Sequence, residues 1–218
     1  MCVNYAPVQR QVLRDIFGVE PPPGEWKAEA WPDYAAPIIR STPDGGREAV
    51  LGSFSMVPKR TIPPGVRYYP TANARMETIG KLSSFAKYWK AGQLCLIPAT
   101  GFFEPNWETG KAVRWRIGLP GGEPFAIAGL WREWPDGATS FTMPTLNADA
   151  DPLMRRFHKP GDEKRGIVVL PREDWDDWLE CRNSELARSI LRLYPGDAMV
   201  AEAAPVPPPK TAVKAGDG

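Results

Sequence analysis

Apolar and polar residues along this 218-residue chain alternate in short runs whose period changes repeatedly. In PVQRQVLRDIFG, Val8, Val12, Leu13 and Ile16 recur at helical spacing and predict one amphipathic helix, which Gly18 stops. A proline-rich loop, VEPPPGEW, follows. APIIRS and REAVLGSFSMV read as strands flanking TPDGG, because Asp-Gly between apolar runs is a hairpin signal. METIGKLSSFAKYWKAG reads as one or two short helices ending at Gly92. Then QLCLIPATGFFEPNWE, AVRWRIGLP, PFAIAGLWREW and FTMPTLNA form four strand-like stretches between Gly and Pro turns, and RGIVVL is a fifth. PREDWDDWLE opens on Pro171 with acids in its first turn, as a helix start does, and SELARSILRLY is a second short helix.

These elements predict an α+β fold. It is a single domain, residues 1–202, built on a curved, mainly antiparallel sheet or open barrel with short flanking helices. Residues 203–218 are rich in proline and carry no aromatic side chain, so a disordered tail is expected there.

Composition narrows the partners. The 25 prolines and 20 glycines favour turns and short strands over long helices. A net charge of +1 provides no global basic field, so any nucleic-acid partner must be met by local patches. Cys2, Cys95 and Cys181 are odd in number and widely spaced, unlike a disulfide framework or zinc ribbon, which points to a reducing cytosol. No run approaches the ~18 apolar residues of a membrane span, and the first residues lack a leader pattern; a cytoplasmic protein is expected. One histidine and three scattered cysteines form no metal-ligand spacing, so neither metal nor cofactor is expected.

A few residues carry candidate chemistry. Cys2 follows the initiator methionine. Once Met1 is removed it presents an α-amine and a thiol on adjacent carbons, a pair that condenses with an aldehyde and closes a thiazolidine ring. The alternative is a small thiol packed under the first strand. His158 is the only imidazole in the chain; it is either a neutral-pH proton carrier or a structural side chain. Glu104, after an apolar run and before Pro105, is either a half-buried acid of raised pKa or a solvated strand end. Asn73 and Arg75 alternate in TANAR, so an extended backbone projects both from one face towards the same ligand, for which a phosphate is suited; a surface turn is the alternative. The nine tryptophans belong to the core or, in a few cases, to base stacking.

Read together, MC at the start, NARMET, CLIPATGFFEPNW, FTMPTLNAD before FH, and IVVLPREDWDDWL resemble the SOS response-associated or abasic-site processing (SRAP) family over most of residues 1–180. The resemblance implies an SRAP-like fold and a sensor of abasic sites in single-stranded DNA. Such a sensor forms a covalent thiazolidine through the mature N-terminal cysteine, with possible strand-cleaving (AP-lyase) activity. It carries the catalytic roles to Cys2, Asn73, Glu104 and His158, with Asn73 holding the amine or sugar, Glu104 shuttling protons and His158 assisting sugar opening. Arg75 would pair with a flanking phosphate. The family's Met-Cys-Gly-Arg start is altered here to Val3 and Asn4, leaving Asn4 as the DNA-facing neighbour of Cys2. LGSFSMVPKR lacks the family's two tryptophans, and Lys59 and Arg60 would supply affinity electrostatically. Pro105 stands where the family has Trp, and the link after His158 is longer, marking a divergent subgroup.

Three functions follow for test. The first is an abasic-site sensor, a monomer associated with the nucleoid when bound to DNA. The second is a thiol peptidase or self-processing enzyme using Cys2, His158 and Glu104. The third is a single-strand binding module in which the cysteine is incidental.

Overall fold

The computed structural model describes residues 2–205. Its frame is a sheet that closes on itself. β2 (Ala35–Ser41) and β3 (Arg47–Phe54) form the expected hairpin, with Gly45 in the left-handed conformation that its turn needs. β5 (Leu94–Asn106) is long enough to serve several partners. Its first half pairs with β7 (Phe125–Glu133) from Leu94↔Leu130 to Ala99↔Phe125, and with β2 at Ile39↔Leu96. β7 pairs in turn with β8 (Thr139–Asn147), and β8 runs parallel to β3. The ring β5–β7–β8–β3–β2 is thereby closed, which removes the exposed edges an open sheet would present.

Both faces of the ring are covered, and this explains why its strands read as nearly unbroken apolar runs. Cys95, Ile97 and Ile127 point inward with Phe54, Phe141 and Met143. Leu94, Leu96, Ala126, Ala128 and Leu130 face outward into a second core. That core is completed by Leu13 of α1 (Arg10–Asp15), Trp89 of α2 (Ala86–Lys90), Trp178 of α3 (Trp175–Glu180) and Ala187 of α4 (Ser184–Ile190). The indole N–H of Trp178 donates to the Cys95 carbonyl at 2.9 Å, pinning α3 to β5.

The second half of β5 leaves the ring and builds the region of interest. β1 (Tyr5–Pro7) pairs with it on one side, Tyr5↔Phe102, and β6 (Val113–Gly118) on the other, Glu104↔Trp115. β11 (Val200–Ala203) extends the sheet beyond β6. Two short strands lie along β8: β4 (Asn73–Arg75), parallel, and β9 (Arg165–Ile167), antiparallel.

Several elements differ from the reading of the sequence. RGIVVL is two strands, because β9 pairs with β8 while β10 (Val169–Leu170) crosses to β7. Of the 76–92 segment only α2 is helical; Met76 and Ile79 reach the core from turns, which satisfies the same apolar spacing without a helix. PREDWDDWLE starts as a 3-10 turn over Arg172–Asp174 before α3. Sheet hydrogen bonding continues to the Ala204 N–H, past the boundary expected at 202, and the proline-rich tail from 206 onward lies outside the described residues. The parallel pairs β3–β8 and β4–β8 join residues far apart in sequence, and local patterns carry no signal for them.

Candidate active site

β1 carries the chain start alongside the outer half of β5. The Phe103 N–H donates to the Asn4 carbonyl at 2.9 Å, continuing the ladder, so Cys2 runs beside the stretch that holds Glu104. The Cys2 thiol is 1% exposed and donates to the Asn4 carbonyl at 3.4 Å. Burial, with the negative field of Glu104 next, pushes its pKa well above the ordinary thiol range, so it is held as SH.

Glu104 is 3% exposed, and its Oε1 has no hydrogen-bond partner among the described residues. Burial raises its pKa to about 7. Its Oε2 lies 3.5 Å from His158 Nδ1. His158 sits in a left-handed backbone conformation, φ +64°, unusual for a residue with a Cβ. Its N–H donates to the Pro105 carbonyl at 2.8 Å, and the Lys164 ammonium donates to the carbonyls of His158 and Lys159 at 3.3 and 2.8 Å. These contacts hold the strained turn.

The protonation of the pair follows from its partners. His158 Nε2 is 3.2 Å from the Arg165 carbonyl, which can only accept, so Nε2 carries the hydrogen. Burial lowers the imidazole pKa to about 4, so the ring is neutral and Nδ1 presents a lone pair to Glu104. A protonated Glu104 satisfies that lone pair, and its pKa near 7 leaves the proton free to leave at neutral pH.

Cys2, Glu104 and His158, from three distant segments, are thus brought together. Asn73 stands on β4, in register with Met143, and both polar atoms of its amide are buried with no partner among the described residues. With Arg75, Tyr69, Thr78 and Phe85 it lines a cleft of about 340 Å³, so Asn73 and Arg75 do face the same space. Arg75 Nη1 pairs with Glu163 at 2.8 Å. Lys59 and Arg60 are exposed on the connection from β3 to β4. Asn4 is buried, and its amide is engaged internally. Oδ1 accepts from Arg114 at 2.6 Å, and Nδ2 donates to Glu29 and the Ala30 carbonyl at 3.3 and 3.2 Å. On the other side, His158 borders a cleft of about 550 Å³ with Trp107, Arg155, Arg156 and Lys164.

Three residues here have no place in the sequence reading. Arg114 ties Asn4 to Glu29 and stacks over Phe103 at 3.5 Å; its alternation with Trp115 on a strand was the available signal. Arg165 is 2% exposed and bidentate to Glu77, a charge at the head of an apolar run. Lys164 braces His158. Among the described residues no group of three or more His, Cys, Asp or Glu is placed to hold a metal, and no helix is long and apolar enough to cross a membrane.

The sequence profile of the SOS response associated peptidase (SRAP) family matches residues 1–208. Two proteins of Bacillus subtilis are similar: abasic site processing protein YoqW, 31% identical over 138 residues, and abasic site processing protein YobE, 30% identical over 138. The YoqW match spans 61% of this chain and 59% of YoqW; that of YobE spans 61% and 60%. A crystal structure of a Bordetella bronchiseptica protein superposes with a TM-score of 0.83 at 38% identity, over 94% of this chain and all of that one.

Proposed function

The chain belongs to the SOS response associated peptidase family, and from that premise we propose that it processes abasic sites by capturing them covalently in single-stranded DNA. The observation that carries this reading is the buried cluster of Cys2, Glu104 and His158, in which an aminothiol precursor meets an acid whose pKa is near 7. The names of YoqW and YobE support the substrate class.

The chemistry begins after removal of Met1. The Cys2 amine adds to the aldehyde carbon of the ring-opened abasic sugar and gives a carbinolamine. Glu104 donates its proton to the departing hydroxyl, water leaves, and an imine forms. The Cys2 sulfur then adds to the imine carbon while the thiol proton ends on the ring nitrogen through the Glu104 carboxylate, closing the thiazolidine. Ring closure is intramolecular, so proximity offsets the low thiolate fraction that burial imposes. Neutral His158 holds Glu104 in its protonated form and, with it, assists opening of the closed sugar and any strand-cleaving elimination. The unpartnered amide of Asn73 would hold the sugar or amine, and Arg75, Lys59 and Arg60 would meet phosphates. Asn4 would act one step removed, by fixing Arg114 beside the Cys2 strand.

The geometry does not favour the thiol peptidase. That reaction needs the imidazole between thiol and acid, whereas here Nδ1 faces Glu104 and Nε2 faces a carbonyl.

Incubation of the protein with a single-stranded oligonucleotide bearing one abasic site is expected to yield a conjugate that survives denaturation, with the added mass on the peptide starting at Cys2. Cys2→Ala should form none. A wild type that gives no conjugate, or a Cys2→Ala protein that gives as much, refutes the reading.

A further inference from the structure

Arg75, the residue expected to meet a phosphate, is already paired with a carboxylate. Its Nη1 lies 2.8 Å from Glu163 Oε2. The other oxygen of the same carboxylate accepts from Arg165 Nη1 at 2.9 Å and from Asn147 Nδ2 at 3.4 Å. Glu163 therefore bridges two guanidinium groups, with an amide alongside, in the geometry a phosphodiester would also satisfy.

The two ends of this bridge are built differently. Arg165 is buried, 2% exposed, and keeps a bidentate partner in Glu77 at 2.8 and 2.9 Å as well as the Thr145 carbonyl at 2.6 Å. Losing one oxygen of Glu163 would leave it well paired. Arg75 and Glu163 are 50% and 35% exposed, so their contact is an ordinary surface ion pair, screened by water and weak. Glu163 itself belongs to the exposed stretch 159–163 between His158 and β9, and it would retain Arg165 after letting Arg75 go. Exchange of partners at Arg75 thus strands no buried charge and costs little.

We infer that Glu163 is an internal competitor for the DNA backbone, a carboxylate that occupies the phosphate position at Arg75 until a single strand displaces it. Glu163 sets the affinity for the strand while taking no part in the covalent step. This rests on the reading of the chain as a single-strand binder above, but it can fail without that reading failing.

The test is a double-mutant cycle on the full chain, read by fluorescence anisotropy with a single-stranded oligonucleotide free of lesions, so that no adduct intervenes. Glu163→Gln keeps a carbonyl for Arg165 and removes only the charge. It should bind roughly two- to fivefold tighter than wild type, the size of a released surface pair. The gain should vanish when Arg75→Gln is also present. Glu163→Asp, which keeps the charge, should show little gain, and thermal midpoints within a few degrees of wild type confirm that each variant is folded. Wild-type binding with no gain in Glu163→Gln overturns the proposal. So does an equal gain in the Arg75→Gln background, which would mark diffuse repulsion of DNA by an acid. Absence of binding by every protein, wild type included, would instead overturn the single-strand reading itself.

Discussion

Glu104 and His158 are displaced from their ordinary pKa values in opposite directions by the same cause, burial. The consequences for stability have opposite signs. Glu104, raised from 4.5 to about 7, binds more protons folded than unfolded between those values, so its contribution is lost as pH rises through about 7. His158, lowered from 6.5 to about 4, binds fewer, so its contribution is lost as pH falls from 6.5 towards 4. Between about 4.5 and 6.5 the two slopes oppose each other. Glu104→Gln removes the first and supplies a permanent N–H for His158 Nδ1. The variant should match wild type near pH 4 and exceed it at pH 8, by up to about 3 kcal/mol in denaturant unfolding, while its conjugate formation slows at least tenfold. A variant no more stable than wild type at pH 8 would mean that Glu104 is not held protonated by burial. These candidate residues were visible in the sequence because their type is scarce or their flanks are distinctive: one histidine, one cysteine after Met1, one Glu between an apolar run and Pro105. Arg165, Arg114 and Lys164 were not, because an arginine or lysine is common and its task is set by partners such as Glu77 or Asn4 that only the fold brings near.

The elements that place these residues depend on close strand contacts more than on helices. In β7, Gly129 pairs with Cys95 of β5, and a Cβ built there would lie 2.5 Å from the Cys95 sulfur and 2.9 Å from Ile97. Glycine is required for space, at the seam that closes the ring. Gly129→Ala should cost about 1–3 kcal/mol by overpacking, and Gly129→Ala with Cys95→Ala should recover part of the loss, measured by thermal unfolding of both. An unchanged midpoint for the single variant would show that β5 and β7 are not so tightly apposed. The hairpin β2–β3 and the long β5 were legible because turn chemistry and apolar runs are local properties. Closure of the ring was not, since it requires β5 to pair with β2 and β7 at once, and β11, only four residues at the edge of the segment expected as tail, carries no local strand signal.

Across the whole molecule, 27 basic and 26 acidic side chains nearly cancel, so attraction to a nucleic-acid strand must be local. Most of the ion pairs tie arginines to the protein's own carboxylates: Arg40 to Glu48 and Glu133, Arg156 to Glu108, Arg192 to Asp174. Lys59, Arg60 and Arg67 enter no ion pair among the described residues, and all three are exposed on the connection between β3 and β4 that leads into Asn73 and Arg75. Tyr68 and Tyr69 are exposed beside them, so cations and aromatic rings share one surface, the combination that suits an unpaired strand. Binding of a lesion-free single strand should therefore weaken steeply with salt, and the slope of log affinity against log salt should fall by about 0.7 for each of Lys59→Ala, Arg60→Ala and Arg67→Ala. Asn4→Ala should leave that slope unchanged, because its amide serves Arg114 and Glu29 inside the protein. Anisotropy titrations at several salt concentrations decide the matter: slopes unaltered in all three basic variants would place the strand on another face, and a slope reduced by Asn4→Ala would mean that the strand reaches the first residues after Cys2.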